Sequence, residues 1–118
     1  MRHRVKKTQR LGIDREHSTS IVRSIAISVI INEKVQTTRP RGKAVQPFVE
    51  KLITTAKNNT AANAARLIEK ELQHDSACKK VIEELLKRYE SRTSGFTRLL
   101  RVGNRKGDNA PLVQLELV

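Results

Sequence analysis

The chain has 118 residues, 37% hydrophobic and 31% charged, which is enough apolar surface for one modest core and too little for two. Its 24 Lys and Arg outweigh 12 Asp and Glu, giving a net charge of +12 that is foreign to most soluble enzymes and favours a polyanion, nucleic acid before an anionic membrane surface. No run approaches the roughly 18 apolar residues of a spanning helix, no apolar stretch follows the first cations as in a signal peptide, and a single cysteine, Cys78, excludes an internal disulfide or multi-cysteine zinc site.

An intracellular protein is therefore expected, with no membrane and no small-molecule substrate among its partners. The charge is uneven. Residues 1–49 hold 11 Lys or Arg against 3 Asp or Glu, residues 50–90 hold 8 against 7, and residues 91–118 hold 5 against 2. An excess at both ends with a near-neutral middle predicts a binding surface built from the two ends of the chain.

In chain order, the first segment is a basic arm. Arg2, Arg4, Lys6, Lys7 and Arg10 stand without an acid among them, and only Val5 offers appreciable apolar surface. Five like charges repel, so residues 1–13 are expected to order only on an anionic partner. Aromatic residues make up 3% of the chain, so phosphate contacts, rather than base stacking, are the expected main attraction.

From Asp14 to Asn32 the residues Ile21, Val22, Ile25, Ala26, Val29 and Ile30 recur every three or four positions and predict a helix, with Asp14 as N-cap. The β-branched residues favour a strand, but the run is long and Ser24 and Ser28 interrupt it every fourth position. Val35 to Thr38 predicts a brief strand. Pro40 can open the next helix at its first position, where a missing N–H costs little. Val45, Phe48, Val49, Leu52, Ile53 and Ala56 form its apolar stripe, and Pro47 inside it implies a kink or a separate first turn.

Thr60 is the expected cap of a third helix carrying Ala61, Ala64, Ala65, Leu67, Ile68 and Leu72. Asp75 or Ser76 starts a fourth, with Val81, Ile82, Leu85, Leu86 and Tyr89 facing inward and Cys78 as a small apolar residue. Lys79, Lys80, Lys87 and Arg88 alternate with acids and are expected to form a solvated face. Phe96 to Val102 and Leu112 to Val118 read as two strands joined by a Gly- and Asn-rich loop with a tight turn at Lys106-Gly107-Asp108. Arg98 falls on one side of the first strand and Arg101 on the other, as suits an edge strand whose cations meet a ligand.

Catalysis finds no support. His3, His17 and His74 match no metal-ligand spacing, Glu83 and Glu84 point to different sides of a helix, and Gly103 to Gly107 lacks the spacing of a phosphate loop. No cofactor and no metal are expected. The candidate ligand-binding cations are those of the arm, those flanking a helix start at Arg39, Arg41 and Lys43, where free amides also attract phosphate, and Arg92, Arg98, Arg101, Arg105 and Lys106 at the hairpin.

Several strings resemble one family, the bacterial-type large-subunit ribosomal protein seventeen. They are Met1-Arg2-His3-Arg4 with Leu11-Gly12, Val35 to Pro40, Val49 to Thr54 with Ala56-Lys57, Gly95 to Leu99, and Gly107 to Leu112 with Glu116-Leu117. Their order and separation span the chain. The family's paired glycines are here Ser94-Gly95 and its tyrosine is Phe96, and residues 61–80 match poorly.

The resemblance implies an α+β fold, about four helices on a small three-stranded sheet that includes a C-terminal hairpin. Residues 14–118 would form one globular domain behind the arm. It also implies a structural role without enzymatic activity in the cytoplasmic ribosome, in the large subunit toward the exit-tunnel side, with large-subunit ribosomal RNA and neighbouring ribosomal proteins as partners. The expected RNA-binding set is Arg2, His3, Arg4, Lys6, Lys7, Arg10, Arg15, Arg39, Arg41, Lys43, Arg92, Thr97, Arg98, Arg101, Arg105 and Lys106. The alternative from charge alone is a free-standing DNA-binding protein of the nucleoid type.

Overall fold

Asp14 begins the regular structure: its carboxylate accepts a 3.0 Å hydrogen bond from the His17 N–H, satisfying an amide that the first helical turn leaves free. The computed structural model describes residue 11 and residues 13–118; the arm's Arg2 to Arg10 lie outside the described residues. Helix α1 (Arg15–Asn32) buries Val22, Ala26, Val29 and Ile30 on one face. Packing of that face outweighs the weak helix preference of its β-branched residues. The helix ends at Glu33 in a left-handed conformation, φ 67°, and β1 (Lys34–Thr38) follows at once.

Helix α2 (Arg39–Asn58) starts one residue earlier than expected, with Pro40 at the second helical position. Pro47 lies within this single 20-residue helix rather than dividing it, and it is exposed, so the ring faces solvent. Helix α3 (Ala61–Leu72) buries Ala64, Ile68 and Leu72. Thr60 occupies its N-cap, but the hydroxyl makes no capping bond. Leu67 is 42% exposed.

Helix α4 (Asp75–Lys80) is capped by His74, whose Nδ1 accepts from the Ala77 N–H at 3.2 Å. It runs on through a π-helical turn (Val81–Leu85) and closes with Leu86–Arg88. Cys78, Val81, Leu85 and Tyr89 are buried at spacings of three and four, the period that puts them on one face of a helix. The Cys78 thiol is pushed up from its ordinary pKa, mainly by burial.

The sheet has the order β1-β3-β2, antiparallel throughout. Strand β2 (Thr97–Asn104) therefore lies at an edge and β3 (Pro111–Leu117) at the centre. Register sets Thr97 opposite Leu117, Leu99 opposite Leu115 and Arg101 opposite Val113. These residues share the side turned to the helices, with Leu115 fully buried. Arg98 opposite Glu116 and Leu100 opposite Gln114 share the open side. A bulge at Val102 shifts the pairing between Arg101 and Gly103.

Gly42 lets α2 approach the sheet. A Cβ there would lie 2.7 Å from Val113 Cγ2 and 3.0 Å from Leu99 Cδ1. Phe96, just before β2, is fully buried, with its ring centroid 5.1 Å from that of Tyr89, and so it fills the core. The Tyr89 hydroxyl donates to the Val118 carbonyl at 2.9 Å, tying the last helix to the end of the chain. The architecture is α+β, four helices against a three-stranded sheet with a C-terminal hairpin, as expected. Among the described residues no helix is long and apolar enough to cross a membrane.

Candidate nucleic-acid interface

Arg39 and Lys43 stand four residues apart on α2, one turn above the other on the same face. Strand β2 brings Arg101 to them through the Arg101–Val113 pairing. All three line one hollow of about 300 Å³ with Leu99, Pro111 and Val113. All three are exposed, and among the described residues none has an ion-pair partner. The first turn of α2 carries no acidic residue and receives no side-chain cap from Thr38. Its free amides and positive dipole end add to the field of the three cations. The corner can therefore hold phosphate oxygens from two directions at once.

The remaining candidates differ in how much charge they have to spare. Arg98 lies on the open side of the sheet, and its Nε and Nη2 both donate to Glu116 Oε1, at 2.8 and 2.6 Å. Glu116 is held below its usual carboxylate range, first by that guanidinium and then by Gln114. Arg105 forks onto Asp108, Nε to Oδ1 at 3.1 Å and Nη2 to Oδ2 at 2.5 Å. This pairing brings Asp108 down to about 2, with help from the Ala110 N–H. It also clamps the turn, where Gly107 takes φ 102°, a conformation strained for any residue with a Cβ.

Lys106 is exposed at the turn, and the four ion pairs seen among the described residues do not involve it. Arg15 is exposed at the first position of α1 and Arg41 on α2. Arg41 follows Arg39 by two residues, about 200° around the helix, so it faces away from the hollow. Arg92 is exposed and donates to the Gly95 carbonyl at 3.0 Å, closing the loop before β2. Thr97 is 7% exposed. Its hydroxyl donates to Glu50 Oε1 at 2.6 Å, so its hydrogen bond fastens the strand to α2.

Two cations expected on the solvated face have structural work instead. Lys80 donates to the Ile31 carbonyl at 3.0 Å and to Glu33 Oε1 at 3.3 Å, and Arg88 donates to Glu33 Oε2 at 3.0 Å. Together they close the C-terminal end of α1, and their hydrogen bonds hold Glu33 below its usual range, that from Arg88 contributing most. Lys57 likewise donates to the carbonyls of Tyr89 and Arg92. These partners lie 32 to 55 residues apart in the chain, beyond any local pattern. Leu99, Pro111 and Val113 were also absent from the expected set. Strand alternation could have put Leu99 beside Arg101, but not either of them beside α2.

Residues 21–118 match the family Ribosomal protein L17. Among curated proteins, the large ribosomal subunit protein bL17 of Wolbachia pipientis subsp. Culex pipiens is 40% identical over 119 residues, covering all of this chain and 83% of that protein. The bL17 of Neorickettsia sennetsu is 36% identical over the full length of both. That of Desulforudis audaxviator is 39% identical over 93% of this chain and 97% of its own. With similarity running the whole length of the chain, through arm, helices and hairpin alike, the protein belongs to the ribosomal protein L17 family.

Proposed function

We propose that the protein is a structural constituent of the large ribosomal subunit, working in the cytoplasm and binding ribosomal RNA through its basic arm, the α2 corner and the hairpin. The observation that carries this reading is the convergence of Arg39, Lys43 and Arg101 on one hollow, with no ion pair to any of them among the described residues. Cations that served only folding or solubility would be spread out or paired, as Lys80, Arg88, Arg98 and Arg105 are.

The arm, with Arg2, His3, Arg4, Lys6, Lys7 and Arg10, follows the RNA backbone and is ordered when phosphate supplies the counter-charge. Arg15, Arg41, Arg92 and Lys106 extend the contact around the body. Arg98, Arg105 and Thr97 contribute mainly by holding the hairpin in shape. Neighbouring ribosomal proteins complete the surroundings. The role is one of binding and shape, and it assigns no reaction to the chain.

The test is partition and salt dependence. The full chain should co-sediment with large subunits at one copy per particle, and its RNA affinity should fall with salt by a logarithmic slope of roughly 0.7 to 0.9 per neutralised phosphate. Deleting residues 2–10 should shrink that slope while leaving thermal unfolding of the body nearly unchanged. Association with chromosomal DNA in place of large subunits would instead identify a nucleoid protein.

A further inference from the structure

The hollow at the α2 corner has two chemistries. Its rim is cationic, with Arg39 and Lys43 from α2 and Arg101 from β2, and its floor is apolar, with Leu99, Pro111 and Val113. A paired stretch of RNA presents phosphates on a ridge and keeps its base faces stacked inside. It would use the rim and leave the floor facing water. An unpaired nucleotide uses both surfaces, since a base has an apolar face and is flanked by two phosphates.

The floor is also rigid. Val113 is 4% exposed and pairs in the central strand, and α2 packs against it and Leu99 at Gly42, on the same side of the sheet as the hollow, which fixes Leu99 in place. Pro111 adds a ring with a single fixed φ at the entrance. A preformed floor loses little entropy when a flat ring settles on it. The guanidinium groups of Arg39 and Arg101 can lie against the same base or meet its phosphates.

We infer that this hollow receives one unpaired nucleotide of the bound RNA, its base resting on Pro111 and the exposed part of Leu99 and its flanking phosphates held by Arg39, Lys43 and Arg101. The inference rests on the RNA-binding reading above and adds what that reading leaves open, namely that the corner recognises a base turned out of a helix rather than a continuous duplex backbone. Contacts to apolar floor and phosphate do not read base identity, so the site tolerates any of the four bases.

The test compares two RNA hairpins that differ by one bulged nucleotide, 2-aminopurine, present in one and absent from the other. With the full chain at fixed salt, the bulged hairpin should bind roughly tenfold tighter, the scale of one base moved onto an apolar platform, and the 2-aminopurine fluorescence should change on binding. Pro111→Ala should reduce the ratio of bulged to paired affinity, and Arg101→Ala should weaken binding of both hairpins. Equal affinity for the two hairpins would overturn the inference and leave the RNA-binding reading standing, whereas binding to neither would remove both. Competition by free adenosine monophosphate as effective as that by the bulged hairpin would also overturn it, identifying a site for free nucleotides.

Discussion

Glu50, midway along α2, accepts hydrogen bonds from both the amide and the hydroxyl of Thr97, at 2.9 and 2.6 Å through Oε1, while its Oε2 accepts from the Phe96 N–H at 3.3 Å. One carboxylate thus joins a helix to the start of an edge strand 46 and 47 residues away. It satisfies donors that burial would otherwise leave unpaired, because Phe96 and Thr97 are 0% and 7% exposed. Glu50→Ala should lower stability by roughly 2 kcal/mol, the cost of stranding buried donors. Urea unfolding followed by circular dichroism measures it, and an unchanged midpoint would show that water takes over the role of the carboxylate.

Three carboxylates predict how the fold responds to acid. Glu33, Glu116 and Asp108 are each held below their ordinary range by an arginine, and Asp108 reaches about 2. A carboxyl whose pKa is depressed by folding contributes stability above its unfolded pKa and loses it as pH falls through the folded value. Stability should therefore be steady near neutrality and decline from about pH 4.5 toward the Asp108 value of about 2. Glu33→Gln should start from a lower plateau and fall less over that range, which urea midpoints at successive pH values report.

At Gly42, helix preference and packing oppose one another. Gly→Ala in a helix interior ordinarily gains about 1 kcal/mol. Here the added methyl meets Val113 Cγ2 at 2.7 Å, and a crowded, stiff valine costs typically 1 to 3 kcal/mol. Gly42→Ala should be net destabilising, by about 1 kcal/mol, and should cost less in a Val113→Ala background, where the opposing methyl is absent. Equal costs in the two backgrounds would show that α2 shifts as a body instead.

The contrast between Arg101 and Arg105 separates free from committed charge. Arg105 is forked onto Asp108, while Arg101 opens on the hollow. Arg101→Ala should lower the salt slope of RNA binding by roughly 0.7 to 0.9, and Arg105→Ala by clearly less, because Asp108 already neutralises much of its field. Filter-binding titrations across salt concentrations distinguish the two, and the reverse ranking would mean that the Arg105–Asp108 pair opens on RNA.

The elements of this fold were legible in the sequence wherever their cause is local. The apolar period of α1, the Asp14 cap, the brief strand after it and the turn at Gly107 each depend on residues within about four positions of one another. Their observed boundaries differ from expectation by one or two residues. Charge likewise pointed to a polyanion before any geometry was known, since a net +12 concentrated at the two ends follows from counting. The tertiary structure alone decided which cations are free. Lys80 and Arg88 looked like solvated helix charges until α4 placed them at Glu33, and Arg98 looked available until β3 set Glu116 opposite it. Arg39 and Lys43 gained Arg101 only through the packing of α2 on the hairpin. A charge is committed or spare according to what lies within a few ångströms of it in space, and for residues some 20 to 60 positions apart that distance is set by the packed core.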